Sequence, residues 1–140
     1  MLDTLTSSLR KRYGRVLVVD DDPEVRTLMQ DLLERRGFEV VVVDSGAEAL
    51  GYLARHAVDL ILLDLEMDDV DGWEVLGALK RHPRFGSFRV VVVSGANSTV
   101  PKWADFLRKP FHIEALLALL AADESVTADA ASGRPSAKPR

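Results

Sequence analysis

Three consecutive aspartates, Asp20, Asp21 and Asp22, follow four aliphatic residues in VLVVDDDPEV, residues 16–25. Carboxylates this close repel, and each raises the cost of ionising its neighbour, so the cluster is either a solvated turn or a place for a cation. A fourth acid, Asp64, closes another aliphatic run in LLDLEMDDVDG. A hydroxyl, Ser94, closes a third run in VVVVSGA, and Lys109 ends a fourth in FLRKPF. A carboxylate can act as a covalent nucleophile and form an aspartyl phosphate. Phosphoryl transfer demands positioning and charge neutralisation more than acid–base machinery. Magnesium suits such a set, since it takes oxygen ligands and binds through one or two carboxylates plus phosphate oxygens. Taken singly these residues say little: Asp22 reads as a helix cap, Ser94 as a strand-end hydroxyl and Lys109 as a surface lysine. His56, His82 and His112 share no metal-ligand spacing. The signal lies in the joint placement.

The elements that must supply that placement are legible. Five runs, at 15–19, 39–43, 59–63, 89–93 and 105–109, are short and rich in Val, Ile and Leu. Near-continuous aliphatic character without alternation predicts strands buried on both faces of a parallel sheet. Between them, Pro23 and the stripe Val25, Leu28, Met29, Leu32 and Leu33 predict a helix that Gly37 stops. Further helices are predicted over 45–56 (Ala49, Leu50, Leu53 and Ala54 inward), 73–81 (Trp73, Leu76 and Leu79 inward) and 113–122 (Ile113, Leu116, Leu117 and Leu120 inward). Leu2, Leu5, Leu9 and Tyr13 share a face of a possible leading helix. Alternating strand and helix gives a doubly wound, three-layer α/β sandwich with right-handed crossovers. Ligand sites in such sheets lie beyond the carboxyl ends of the strands, where Asp20, Asp64, Ser94 and Lys109 all fall.

The 140 residues suit one domain, expected over 14–124, between an extension at 1–13 and a disordered tail at 125–140. Cysteine is absent, which excludes disulfides and thiolate metal sites. No apolar run approaches the roughly 20 residues of a membrane span, and no signal-peptide pattern opens the chain, so the expected location is cytoplasmic. The net charge of -4 conceals basic ends. Residues 16–124 carry 11 bases against 20 acids, a net -9 that repels nucleic-acid phosphates.

The five-point pattern resembles the receiver domain of two-component response regulators over about residues 14–124. The 30 residues from Asp64 to Ser94 are that family's usual separation. The resemblance implies a flavodoxin-like sheet in the order 2-1-3-4-5. It implies Asp64 as phosphoacceptor, since it alone precedes xxMxxxDG. It further implies Mg2+ held by Asp21, Asp64 and the backbone carbonyl of Glu66, with Asp20 acting through a metal-bound water. Lys109 would pair with phosphoryl oxygens, Ser94 would hydrogen-bond one of them, and Phe106 matches the aromatic switch position. The implied donor is a sensor histidine kinase or a histidine phosphotransfer protein, and the implied output is altered affinity for a downstream protein. Three departures stand out. Asp68 replaces the usual proline, Gly95 replaces the usual alanine, and only 15 residues separate Ser94 from Lys109, which truncates the fourth crossover helix.

Two other readings compete. VLVVDDD also fits the first motif of haloacid-dehalogenase-like phosphohydrolases, with VVVVS and Lys109 as the later motifs. Against it, no acidic pair follows a strand after Lys109 and no Gly-Thr follows the aspartates. A receiver-shaped adaptor that works without phosphorylation is the second. With the fourth crossover helix cut short, the chain is expected to act as a monomer, or to pair through Leu2, Leu5 and Leu9.

Overall fold

The computed structural model describes residues 4–67, 72–96 and 99–129, with side chains to Ala122. In order they form α1 (Thr4–Arg12), β1 (Arg15–Val19), α2 (Pro23–Arg35), β2 (Glu39–Val43) and α3 (Gly46–Arg55). Then come β3 (Leu60–Asp64), α4 (Gly72–Lys80), β4 (Arg89–Ser94), β5 (Asp105–Arg108) and α5 (Ile113–Asp129). All strands are parallel, in the order β2-β1-β3-β4-β5, as the resemblance implied.

Successive strand residues point to opposite faces, so each continuous aliphatic run feeds two cores. Val16, Val18, Leu60, Leu62, Val91 and Val93 pack under α1, α2 and α5. Leu17, Val19, Ile61, Leu63, Val90 and Val92 pack under α3 and α4. Expectation of full burial holds for β1, β3 and β4. β2 and β5 are edge strands with one neighbour each, and most of their residues are only half-buried.

Local chemistry sets the helix ends. Asp22 caps α2, its Oδ1 accepting from the Glu24 N–H at 2.9 Å, and Pro23 follows where no N–H is needed. At the other end Gly37 takes φ 94°. That lets its N–H reach the Glu34 carbonyl and the Phe38 N–H reach that of Leu33. Ser45 caps α3 through the Glu48 N–H at 3.1 Å.

Several predicted core positions lie outside. Trp73 is 46% and Leu28 55% exposed, and Ala54 is exposed. In α4 the buried stripe is Gly72, Val75, Leu76 and Leu79, so Trp73 falls a 100° step to the side. In α1 Thr6 and Leu9 are buried and Leu5 is not, while Leu2 lies outside the described residues. The last helix is longer than the predicted 113–122: with neither glycine nor proline after Ile113 until Gly133, α5 runs to Asp129.

Among the described residues no helix lies between β4 and β5. Trp103 covers that side of the second core, edge-on to Phe85 at 5.1 Å, with Lys80 Nζ 5.9 Å above its ring. No helix among the described residues is long and apolar enough to cross a membrane.

Candidate functional site

Asp20 is the first residue past β1. Its N–H donates to the Val43 carbonyl at 3.2 Å, which extends the ladder by one step and aims the side chain from the sheet's carboxyl edge. Its Oδ1 accepts from the Asp22 N–H at 2.9 Å, and Arg26 Nη1 donates to its carbonyl at 2.9 Å. Asp64 is the last residue of β3, opposite Val93, and its Oδ1 accepts from the Glu66 N–H at 3.0 Å. These two carboxylates are 3% and 4% exposed, a burial that requires partners. Lys109, one residue beyond β5, supplies the common one. Its N–H donates to the Ser94 carbonyl at 2.8 Å, so the β4–β5 ladder fixes where the side chain starts. Its Nζ lies 3.1 Å from Asp20 Oδ2 and 3.5 Å from Asp64 Oδ1.

Asp21 is half-buried, and one carboxylate oxygen from each of Asp20, Asp21 and Asp64 lies within 4.8 Å of the others. Three hard oxygen donors without histidine or thiolate suit a hard divalent cation, so these residues could hold a metal ion. Burial raises the Asp64 carboxyl above its ordinary value, and the charge of Asp20 adds to the rise against the Glu66 N–H and Lys109. Burial works to lower Lys109. Its hydrogen bond to Asp20 and the charge of Asp64 outweigh that and hold it above the ordinary lysine value, as a cation. A small open pocket adjoins this pair, walled by Val25, Met29, Leu62 and Phe111.

Sequence reasoning placed Asp20, Asp21, Asp64 and Lys109 together, and the fold brings them together. Ser94 closes β4 beside them, 1% exposed, with its Oγ accepting from the Ala96 N–H at 3.1 Å. Phe106 packs half-buried against the second core, opposite Val92 of β4, rather than in the acid cluster. Asp68 lies outside the described residues. Three contributions escaped the sequence. Arg26 reaches back to Asp20. The exposed Glu66 turns its side chain to the Gly95 N–H at 3.4 Å. Gly72 lets α4 begin against Leu65, where an added Cβ would stand 2.7 Å from that side chain. The DG pair of the xxMxxxDG motif carried the last signal; Arg26 had none.

These positions can be set beside known proteins. The response regulator protein FleR of Pseudomonas aeruginosa is 37% identical over 113 residues, 77% of this chain and 24% of FleR. The transcriptional regulatory protein KdpE of Mycobacterium tuberculosis is 33% identical over 76% of this chain and 49% of KdpE. The chain thus spans about half or less of these curated relatives. A CheY-like receiver domain from Methylobacillus flagellatus superposes with a TM-score of 0.70 at 29% identity, covering 79% of this chain and 98% of that one. The response regulator TrrA of Thermotoga maritima, solved with Mg(2+)-BeF, matches at 0.68 and 28% identity over 78% of this chain and 97% of its own. The structure of the histidine kinase ThkA in complex with TrrA also matches at 0.68, at 27% identity, over 78% of this chain and 97% of that one. The family model for the response regulator receiver domain matches residues 16–121. With sheet order and family match in agreement, this chain belongs to the response regulator receiver domains.

Proposed function

We propose that Asp64 is the phosphoacceptor of a two-component relay, with Asp20, Asp21, Ser94 and Lys109 as its working partners. The observation that carries this reading is the convergence of Lys109 Nζ and three carboxylates at one sheet edge. A carboxylate oxygen of Asp64 attacks phosphorus in a phosphohistidine; as the P–O bond forms the P–N bond breaks, and the imidazole leaves with the electron pair. Lys109 neutralises charge on the transferring oxygens. Ser94, whose Oγ accepts from Ala96, keeps its hydroxyl hydrogen to donate to one of those oxygens. Asp20, Asp21, Asp64 and the backbone carbonyl of Glu66 would hold Mg2+, which when bound neutralises phosphoryl charge. Phe106 is the aromatic that follows the change at the acceptor.

The donor is a sensor histidine kinase or a histidine phosphotransfer protein, a reading supported by the ThkA–TrrA complex. TrrA with Mg(2+)-BeF supports the choice of metal. Output is altered affinity for a downstream protein rather than nucleic acid, in keeping with the net -9 of residues 16–124. Apart from its own phosphorylation and dephosphorylation, the chain performs no turnover. Intact mass after incubation with acetyl phosphate and magnesium tests the acceptor. The wild type should gain one phosphoryl group, labile to hydroxylamine, and Asp64→Asn none. Equal labelling of both would move the chemistry elsewhere, and no labelling of either would favour a phosphorylation-independent adaptor.

A further inference from the structure

Arg26 sits where a helix disfavours a cation. It lies in the first turn of α2, at the positive end of the helix dipole. There its half-buried side chain folds back over the helix start, and Nη1 donates at 2.9 Å to the backbone carbonyl of Asp20. That carbonyl belongs to the planar peptide linking Asp20 to Asp21. Its orientation sets ψ of Asp20 and φ of Asp21, and with them the directions in which both side chains leave the backbone. Two further contacts hold the same turn. The Asp22 N–H donates to Asp20 Oδ1 at 2.9 Å, and the Asp20 N–H donates to the Val43 carbonyl at 3.2 Å. Lys109 takes the carboxylate of Asp20 and Arg26 takes its backbone. The two cations divide the residue between them.

We propose that Arg26 is a positioning residue for the cation site, holding the Asp20–Asp21 peptide so that both carboxylates face one point. This role rests on Asp20, Asp21 and Asp64 holding magnesium. Charge and position make opposite demands here, which separates the two effects. A fixed positive charge beside three carboxylates repels an incoming cation, so by charge alone its removal tightens magnesium binding. Loss of the peptide's orientation weakens binding, and groups that orient metal ligands contribute about 10–100-fold in affinity.

Magnesium titrations of the full chain test this, by calorimetry and by the rise in melting temperature over the protein in EDTA. Arg26→Met keeps the length and removes charge and donors. It is expected to bind magnesium about tenfold more weakly than wild type while still melting cooperatively in EDTA. Arg26→Lys keeps the charge and one donor but loses the planar fork, and should fall between. An Arg26→Met that binds as tightly as wild type, or more tightly, overturns the role. Should Arg26→Met not fold, Arg26→Lys decides: weakened binding supports the role and equal binding overturns it. A wild type that binds no magnesium removes the metal site itself and the role with it, whereas an unaffected variant beside a binding wild type removes Arg26 alone.

Discussion

Lys109 lets Asp20 and Asp64 share a buried edge, yet it does not fully compensate them. Burial and the neighbouring Asp20 still hold the Asp64 carboxyl above its ordinary 3.8. The folded, metal-free protein therefore binds that proton more tightly than the unfolded chain. The stability from this group is largest below 3.8 and is lost as pH rises through the raised folded value. Asp64→Asn removes the penalty, so in EDTA at neutral pH it should raise the stability and the melting temperature. The gain should shrink to nothing as pH falls below the ordinary carboxylate range. Melting curves across that range check it, and a variant that melts lower at neutral pH would show the Lys109 pair dominating instead. Lys109 follows the same sign at higher pH: its contribution is full below 10.5 and is lost as pH rises through its raised folded value. The acids and the lysine were legible because each ends an aliphatic run, and strand ends converge. Arg26 was not, because a long side chain's direction is a tertiary fact that no spacing records.

At the level of elements, periodicity found the helices and missed their rims. Met29 and Leu33, four apart, define the buried line of α2, and Leu28 precedes it by one 100° step. A leucine count includes it; geometry does not. The short link from Ser94 to Lys109 was legible as leaving room for at most a turn or two of helix, but the packing of its described residues was not. Trp103 has no periodic partners in sequence, and its place against Phe85 and Lys80 depends on the turn after α4. Trp103→Ala should therefore cost about 2–4 kcal/mol in urea unfolding, since nothing else in the link offers comparable area. A cost below about 0.5 kcal/mol would mean that surface substitution, not core loss, describes the site. Gly72→Ala should cost about 1–3 kcal/mol, because the new methyl meets the Leu65 backbone at 2.8 Å and neither segment can yield without moving the loop after Asp64.

Across the whole molecule, α1 lies outside the family match yet inside the fold. Leu9 is fully buried, and α1 packs on α5. At the adjoining bend Tyr13 is 4% exposed, and its hydroxyl oxygen accepts from Arg89 at 3.2 Å while Arg89 Nε donates to Asp105 at 2.7 Å. The leading segment is thus tied to β4 and β5 at the edge opposite the acids. Leu9→Ala should cost about 2–4 kcal/mol by chemical denaturation. Burial also removes Leu9 from any pairing seam with Leu5, so the alternative of dimerisation through this segment loses its central residue. With no helix among the described residues between β4 and β5, a symmetric patch there also lacks a scaffold. Light scattering at tens of micromolar should report a monomer with and without beryllofluoride. A beryllofluoride-induced dimer would refute that.

One end of the sheet carries a different consequence. β2 is an edge strand whose last three valines are only half-buried, and its run of four valines has no charge of its own. Such a strand is a template for adding another, and short β-branched windows without proline are prone to stacking into fibrils. Glu39 and Asp44 bracket the run, and Glu39 is held by Arg15 at 2.9 Å. The two acids act as gatekeepers of solubility, far from phosphorus chemistry, and neutralising both should leave the fold intact while shortening the lag before the heated protein aggregates.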